Sequence, residues 1–125
     1  MPYYNFLVKE DPLYQSTRSA LLSSSTNPYY MCGRAACGIG GPHNGWPWVW
    51  PMAIISQAWT SMTDAEISLN LEVLVNSSAC TGFIHESFNK DNVTQYTRHW
   101  FAWANSLFGD LILKLAIEKP SLIFK

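Results

Sequence analysis

The last third of the chain contains a segment that is apolar on nearly all sides, and this feature limits the possible folds most. A helix is predicted from residue 98 to residue 118, capped by Thr97 and stopped by Pro120. Its apolar residues cover far more than a third of the helix circumference: Trp100, Phe101, Trp103, Ala104, Leu107, Phe108, Leu111, Ile112 and Leu115. Such a helix needs neighbours on several sides, and the rest of a 125-residue chain offers few of them.

Three shorter helices are predicted upstream, each marked by a capping residue or by a proline at its first position. They cover residues 13–22 behind Asp11-Pro12, residues 51–62 from Pro51, and residues 64–76 behind a capping box formed by Thr63 and Glu66. The second helix is apolar on nearly all sides and should be buried, whereas the third has one polar side.

Two segments between the helices lack an apolar period. Residues 28–50 are rich in glycine, proline, tyrosine and tryptophan, which predicts a long functional loop, and residues 77–92 are predicted as a second connection. No run alternates apolar and polar residues long enough to predict a sheet, so the fold class is expected to be all-α. A plain helical bundle and an α/α toroid both fit this pattern, although two or three helix pairs cannot close a ring.

Composition excludes several classes of function. Only 14% of the residues are charged, against about a quarter in ordinary soluble domains, and 14% are aromatic, so a ligand site or a neighbour must cover aromatic surface. The net charge of −1 without a basic run excludes a nucleic-acid partner. No apolar run is long enough for a membrane span. Localisation stays open, because two N-glycosylation sequons, at Asn76 and Asn92, suit a secretory route while a cytoplasmic protein could carry them unmodified.

The cysteines and the histidines give no metal-binding pattern. Cys32, Cys37 and Cys80 have no metal-ligand spacing, and we expect buried or free thiols rather than a disulfide. His85-Glu86-Ser87 is not the H-E-x-x-H motif of zinc proteases. No metal and no other cofactor are therefore expected.

Glu86 is the strongest candidate for chemistry. It lies beside His85 in the segment Phe83–Phe88, between apolar residues, in a connection that follows a helix. Apolar surroundings raise the proton affinity of a carboxylate, and hydrogen bonds from His85 or Ser87 would favour the ionised form, which could deprotonate water. A purely structural hydrogen-bond network is the competing interpretation.

Four other side chains are candidates for contact with a substrate: His43, Trp50, His85 and Arg98. His43 follows glycines that let the backbone approach a ligand, and Trp50 belongs to a tryptophan-rich stretch suited to stacking on sugars, although core packing is equally plausible. Arg98 is predicted at the N-terminal end of a helix, where a cation is unfavourable and needs an acceptor. That acceptor could be a ligand, or Asp91 or Glu86 in an ion pair.

Five blocks of the sequence, in their order and spacing, resemble glycoside hydrolase family 125, which includes fungal meiotically up-regulated proteins. The resemblance extends from about residue 10 to the C-terminus. The blocks are Asp11-Pro12…Asn27-Pro28-Tyr29-Tyr30, Gly38-Ile39-Gly40-Gly41-Pro42-His43, Trp50-Pro51-Met52, Phe83-Ile84-His85-Glu86-Ser87-Phe88 and Thr97-Arg98-His99-Trp100-Phe101-Ala102-Trp103-Ala104-Asn105.

The resemblance implies an (α/α)6 barrel of which residues 1–125 would be the C-terminal portion, an incomplete toroid and a fragment of a single catalytic domain. It implies an inverting, metal-independent exo-α-1,6-mannosidase acting on mannose-containing oligosaccharides. Glu86 would be the general base, and the general acid, an aspartate, would lie upstream of the first block. The isolated chain should then be inactive and should need the remainder of the domain as a partner. The alternative is a non-catalytic module that binds a carbohydrate or a protein.

Overall fold

The computed structural model describes residues 1–124, which form four α-helices, five short strands and two 3-10 turns. The helices are α1 (Pro12–Leu21), α2 (Pro51–Trp59), α3 (Asp64–Ser77) and α4 (Ala102–Glu118). The strands are β1 (Tyr30–Cys32), β2 (Cys37–Ile39), β3 (Trp48–Val49), β4 (Ser87–Asn89) and β5 (Asn92–Thr97), and the 3-10 turns are Pro2–Tyr4 and Pro120–Leu122.

The chain contains two antiparallel sheets, so the all-α prediction is wrong, and with it the interpretation of the chain as a purely helical part of an (α/α)6 barrel. One sheet pairs β1 with β2, and the other has the order β3-β4-β5. Four of the five strands lie in the two segments expected to be irregular, and β5 begins at the last residue of the second segment. Four of them are only two or three residues long, too short for an alternating pattern to be visible in the sequence.

A disulfide joins Cys32 to Cys37 across the β1–β2 hairpin, so the expectation of free or buried thiols is wrong for these two residues. They are direct partners in the antiparallel register, which brings their Cα atoms to 4.0 Å. The two cysteines are five residues apart, and this spacing alone did not predict a disulfide, because the hairpin that pairs them was not predicted. Cys80 is an exposed free thiol.

The first three helices begin where a capping residue or a first-position proline predicted. The Asp11 carboxylate accepts hydrogen bonds from the backbone N–H groups of Leu13 and Tyr14, and the Thr63 hydroxyl accepts one from Glu66. The fourth helix begins at Ala102 rather than at residue 98, because residues 92–97 extend as β5. Thr97 is therefore a strand residue and caps no helix.

The core lies between α2, α3, α4 and the inner face of the three-stranded sheet. Its completely buried members include Val49, Ile55, Leu74, Phe88 and Leu111. The opposite side of α4 remains open, with Trp103, Leu113 and Ile117 more than 60% exposed. Within residues 1–124, no helix is both long enough and apolar enough to cross a bilayer.

Glu66 connects α1 to α2 and α3. Its carboxylate accepts hydrogen bonds from Arg18 at 2.8 Å and from Gln57 at 2.9 Å. Arg18 also donates to the Gln57 carbonyl at 3.0 Å and to the Thr60 hydroxyl at 3.3 Å. Partial burial raises the pKa of Glu66, but hydrogen bonds from Ser61, Arg18 and Gln57 outweigh burial and hold the pKa below its ordinary value.

We expect Glu66→Gln to lower the free energy of unfolding by about 1 kcal/mol at neutral pH. Because the folded pKa lies below the unfolded value of about 4.3, this contribution is present above that pH and is lost as the pH falls through the folded pKa. Urea titrations of both proteins at pH 7 and at about pH 3 measure the difference. The exposed Glu72→Gln, on the same helix, is the control. A Glu66→Gln deficit that stays constant over this range would contradict the assignment.

Candidate active site

The hairpin formed by β4 and β5 positions Glu86. The residue immediately precedes β4, and its backbone N–H donates to the Thr97 carbonyl at 3.3 Å, beside the Ser87–Thr97 pair of the ladder. Glu86 is only 8% exposed, in a row of buried residues from Ile84 to Phe88. This bond and the ladder that starts at Ser87 thus fix the backbone at Glu86 and on its C-terminal side.

One oxygen of the Glu86 carboxylate is anchored and the other is open. The Thr97 hydroxyl donates to Oε2 at 3.1 Å, and the Arg98 Nε–H group faces the same oxygen at 3.2 Å. Oε1 accepts no hydrogen bond from any of residues 1–124, and it is not among their enclosed, unpartnered polar atoms. The carboxylate is therefore held in place and still has an oxygen free to accept a proton.

A chain of three hydrogen bonds leads to the anchored oxygen. Asn44 Nδ2 donates to the Ser87 hydroxyl at 2.8 Å, and the Ser87 and Thr97 hydroxyl oxygens lie 2.7 Å apart. Because Asn44 supplies an N–H and Glu86 accepts, each hydroxyl donates toward the carboxylate. All three hydrogen bonds are therefore oriented toward the Glu86 carboxylate.

Arg98 lies in a tight turn rather than at a helix start. Its φ of 51° places it in the left-handed region, which is uncommon for a residue other than glycine and costs about 1–3 kcal/mol. The turn directs the guanidinium back to Glu86 and over the ring of Phe101 at 6.0 Å, while the side chain stays 63% exposed. The acceptor expected for Arg98 is thus Glu86, and Asp91 pairs with Lys90 instead.

His85 is almost completely buried, at 1% exposed, and its ring stacks on Tyr96 with centroids 3.6 Å apart. Nδ1 lies 2.8 Å from the His99 carbonyl and 3.2 Å from that of Arg98. Nε2 lies 3.2 Å from the Ser78 carbonyl. Both nitrogens therefore face backbone groups of the chain itself.

His43 and Trp50 lie to one side of this network. His43 is exposed and contacts the Trp50 ring edge-on, with centroids 6.3 Å apart, and it precedes Asn44 in the chain. Trp50 is partly buried, and its indole N–H is enclosed with no acceptor among residues 1–124. Gly40 serves packing, because a Cβ there would lie 2.3 Å from the Trp48 carbonyl oxygen, whereas a Cβ on Gly41 would meet no atom within 4 Å.

Of the predicted residues, Glu86 and Arg98 are in direct contact and His85 contacts the Arg98 backbone, whereas His43 and Trp50 lie outside the hydrogen-bond network. The contributions of Asn44 and Thr97 were missed. Asn44 is 43 residues away from Ser87, and nothing in the sequence predicts that contact. Thr97 was identified as a helix cap, whereas the two-residue alternation of β5 would have placed it on the same side as Gln95 and Val93.

Elsewhere on the described surface there is a concavity but no cluster of metal ligands. A concavity of about 560 Å³ between the N-terminal turn, α2 and α4 contains none of the candidate residues, and its walls are apolar helix faces such as Ile55 and Trp103. Among residues 1–124, no group of three or more His, Cys, Asp or Glu side chains is placed to hold a metal ion. The chemistry that the described residues support is proton abstraction by one oriented carboxylate.

Comparisons with known proteins identify the family of the chain. The profile of the family described as "Metal-independent alpha-mannosidase (GH125)" matches residues 1–113. The "Meiotically up-regulated gene 157 protein" of Schizosaccharomyces pombe is 50% identical over 125 residues, which are all of this chain and 25% of that protein.

A solved structure from Streptococcus pneumoniae, described as a metal-independent α-mannosidase in a non-productive complex with α-1,6-mannobiose, is also similar. It superposes with a TM-score of 0.88 at 39% identity, and the match covers 94% of this chain and 28% of the other. The chain thus spans about a quarter of the length of these relatives. From a profile match over most of its length, and from relatives this similar, the chain belongs to glycoside hydrolase family 125, the metal-independent α-mannosidases.

Proposed function

We propose that these residues contribute the general base of an inverting exo-α-1,6-mannosidase. The observation that carries the proposal is the asymmetric anchoring of Glu86: Oε2 is held by Thr97 and Arg98, and Oε1 is free to accept a proton from water. Family membership and the α-1,6-mannobiose in the pneumococcal structure support the substrate class.

The mechanism proposed for Glu86 is removal of one proton from a water molecule as that water attacks the anomeric carbon. The attack comes from the face opposite to the leaving oxygen, so the bond to water forms as the glycosidic bond breaks, and the configuration inverts to β-mannose. The leaving oxygen takes its proton from a second carboxyl group about 6.5–9.5 Å from Glu86. Glu86 is the one carboxylate of residues 1–124 in this hydrogen-bond network, and we assign the acid to the upstream part of the family's catalytic domain.

The remaining candidates are proposed to shape the mannose subsite to different degrees. The exposed guanidinium of Arg98 can donate to a sugar hydroxyl while its Nε stays on Glu86. His43 is exposed beside the Trp50 ring and has a free ring nitrogen to offer. Trp50 can offer only its ring face, because its indole N–H is enclosed.

The native gene product that carries these residues should hydrolyse α-1,6-mannobiose with β-mannose as the first product. Proton NMR of the anomeric signals during the first minutes measures the configuration, before mutarotation mixes the two forms. The α-1,2- and α-1,3-linked disaccharides serve as linkage controls, and we expect at least about 10-fold slower release from them. The 125-residue chain, assayed in parallel, should release no mannose, because we assign the acid to the upstream part of the catalytic domain.

Two outcomes would contradict this proposal. If α-mannose appears first, the enzyme retains configuration and Glu86 does not activate water for direct displacement. If the native gene product binds α-1,6-mannobiose without cleaving it, the protein is a carbohydrate-binding module instead.

A further inference from the structure

His85 connects the two left-handed turns that lie on either side of the hairpin. Four residues other than glycine have a positive φ in the part of the chain that the structure describes, and three of them lie in these turns. Ala79 and Cys80, with φ of 49° and 61°, form the first turn, and Arg98, with φ of 51°, forms the second. The two nitrogens of His85 face one turn each.

The contact with the second turn is the shorter one. Nδ1 lies 2.8 Å from the His99 carbonyl and 3.2 Å from the Arg98 carbonyl, so the ring N–H is on Nδ1. This bond supplies a donor to carbonyls of the turn, which lie beyond the last ladder pair, Ser87 with Thr97. It therefore stabilises the conformation that directs the Arg98 side chain toward Glu86.

Nε2 faces the first turn, 3.2 Å from the Ser78 carbonyl and 3.4 Å from the Thr81 hydroxyl. The Thr81 hydroxyl itself contacts the Ser78 carbonyl at 2.7 Å. Stacking on Tyr96 fixes the plane of the ring, so both contacts depend on one rigid group.

We infer that His85 is a positioning residue, which sets the conformation of Arg98 and so the anchoring of Glu86, rather than a residue that contacts the sugar. Burial to 1% exposed and two occupied nitrogens leave no atom for a sugar hydroxyl. The inference rests on the proposed role of Glu86 as the base. It predicts that the Nδ1 contact matters for catalysis and that the Nε2 contact matters much less.

Two substitutions separate the contacts. The amide nitrogen of asparagine can replace Nδ1, and that of glutamine can replace Nε2, while both variants lose the same stack on Tyr96. In the native gene product, His85→Asn should keep kcat within about 10-fold of the parent, whereas His85→Gln should lower kcat about 100-fold with KM changed less than about 3-fold. A residue that only maintains the fold would lower both activities in step with the folded fraction.

Hydrogen exchange of the same proteins tests the contacts without using activity. We expect faster exchange around residues 78–81 in His85→Asn and around residues 97–100 in His85→Gln. Equal exchange at both turns in the two variants, or equal loss of kcat, would overturn the inference, even if both melt below the parent. Glu86→Gln belongs to the same series. If it stays active, the proposed base is wrong, and the exchange pattern alone then decides the positioning role.

Discussion

Glu86→Gln should lower kcat of the native gene product on α-1,6-mannobiose by about three orders of magnitude while KM changes little. General acid–base catalysis contributes about 10²–10⁴-fold, and the glutamine amide cannot take a proton from water. The substitution keeps the size of the side chain and leaves an oxygen that can still accept from Thr97, so the fold should persist. An interaction needed only in the transition state affects kcat rather than KM.

A second variant gives a chemical signature of the missing base. Glu86→Ala removes the carboxylate and leaves space beside the attack position. Azide needs no deprotonation, so added azide should restore turnover and yield β-mannosyl azide, which NMR identifies. Glu10→Gln, at an exposed position, is the control for nonspecific effects of the lost charge. Glu86→Gln with near-parental kcat would contradict the assignment, as would rescue that yields an α-azide.

Candidate site residues could be predicted from the sequence where the polar groups are neighbours in the chain. His85-Glu86 placed a carboxylate in an apolar connection, and the position of Arg98 required an acceptor, which the structure supplies as Glu86. The reasoning behind Arg98 was nevertheless incomplete. It assumed a helix start, whereas the residue lies in a left-handed turn whose carbonyls are bonded by His85. The ion pair with Glu86, one of the predicted alternatives, is present, but the left-handed turn and not a helix start directs Arg98 toward it.

The helices could be predicted because capping depends on residues close together in the sequence. The sheet could not, because its strands are far apart in the sequence. Asp11 and Thr63 cap helices through groups two or three residues away, so their helices were expected at the right positions. The β3–β4 pair joins residues about 40 positions apart through two register pairs, Trp48 with Asn89 and Val49 with Phe88. A strand of two residues carries no period, and its existence depends on tertiary packing. The contact of Asn44 with Ser87 follows from that pairing and was equally invisible.

Phe88 connects this packing to the site, because it is the middle residue of β4, two positions after Glu86. Its side chain is completely buried, and its backbone pairs with Val49 on one side and Tyr96 on the other. The next residues along β5 are Thr97 and the turn at Arg98, which hold the carboxylate. Core packing at Phe88 therefore fixes the strand pair from which Glu86 obtains its orientation.

Phe88→Ala should lower the free energy of unfolding by about 3–5 kcal/mol, because it removes a buried ring and leaves a cavity between the sheet and the core. Urea titration of the native gene product measures the loss. Phe88→Leu is the matched variant, since it keeps most of the volume and should cost no more than about 1.5 kcal/mol. Activity per folded molecule should also fall in Phe88→Ala, because the hairpin that orients Glu86 loses its support. If Phe88→Ala is no less stable than Phe88→Leu, the sheet does not depend on this ring. The proposal that core packing at Phe88 orients Glu86 would then be wrong.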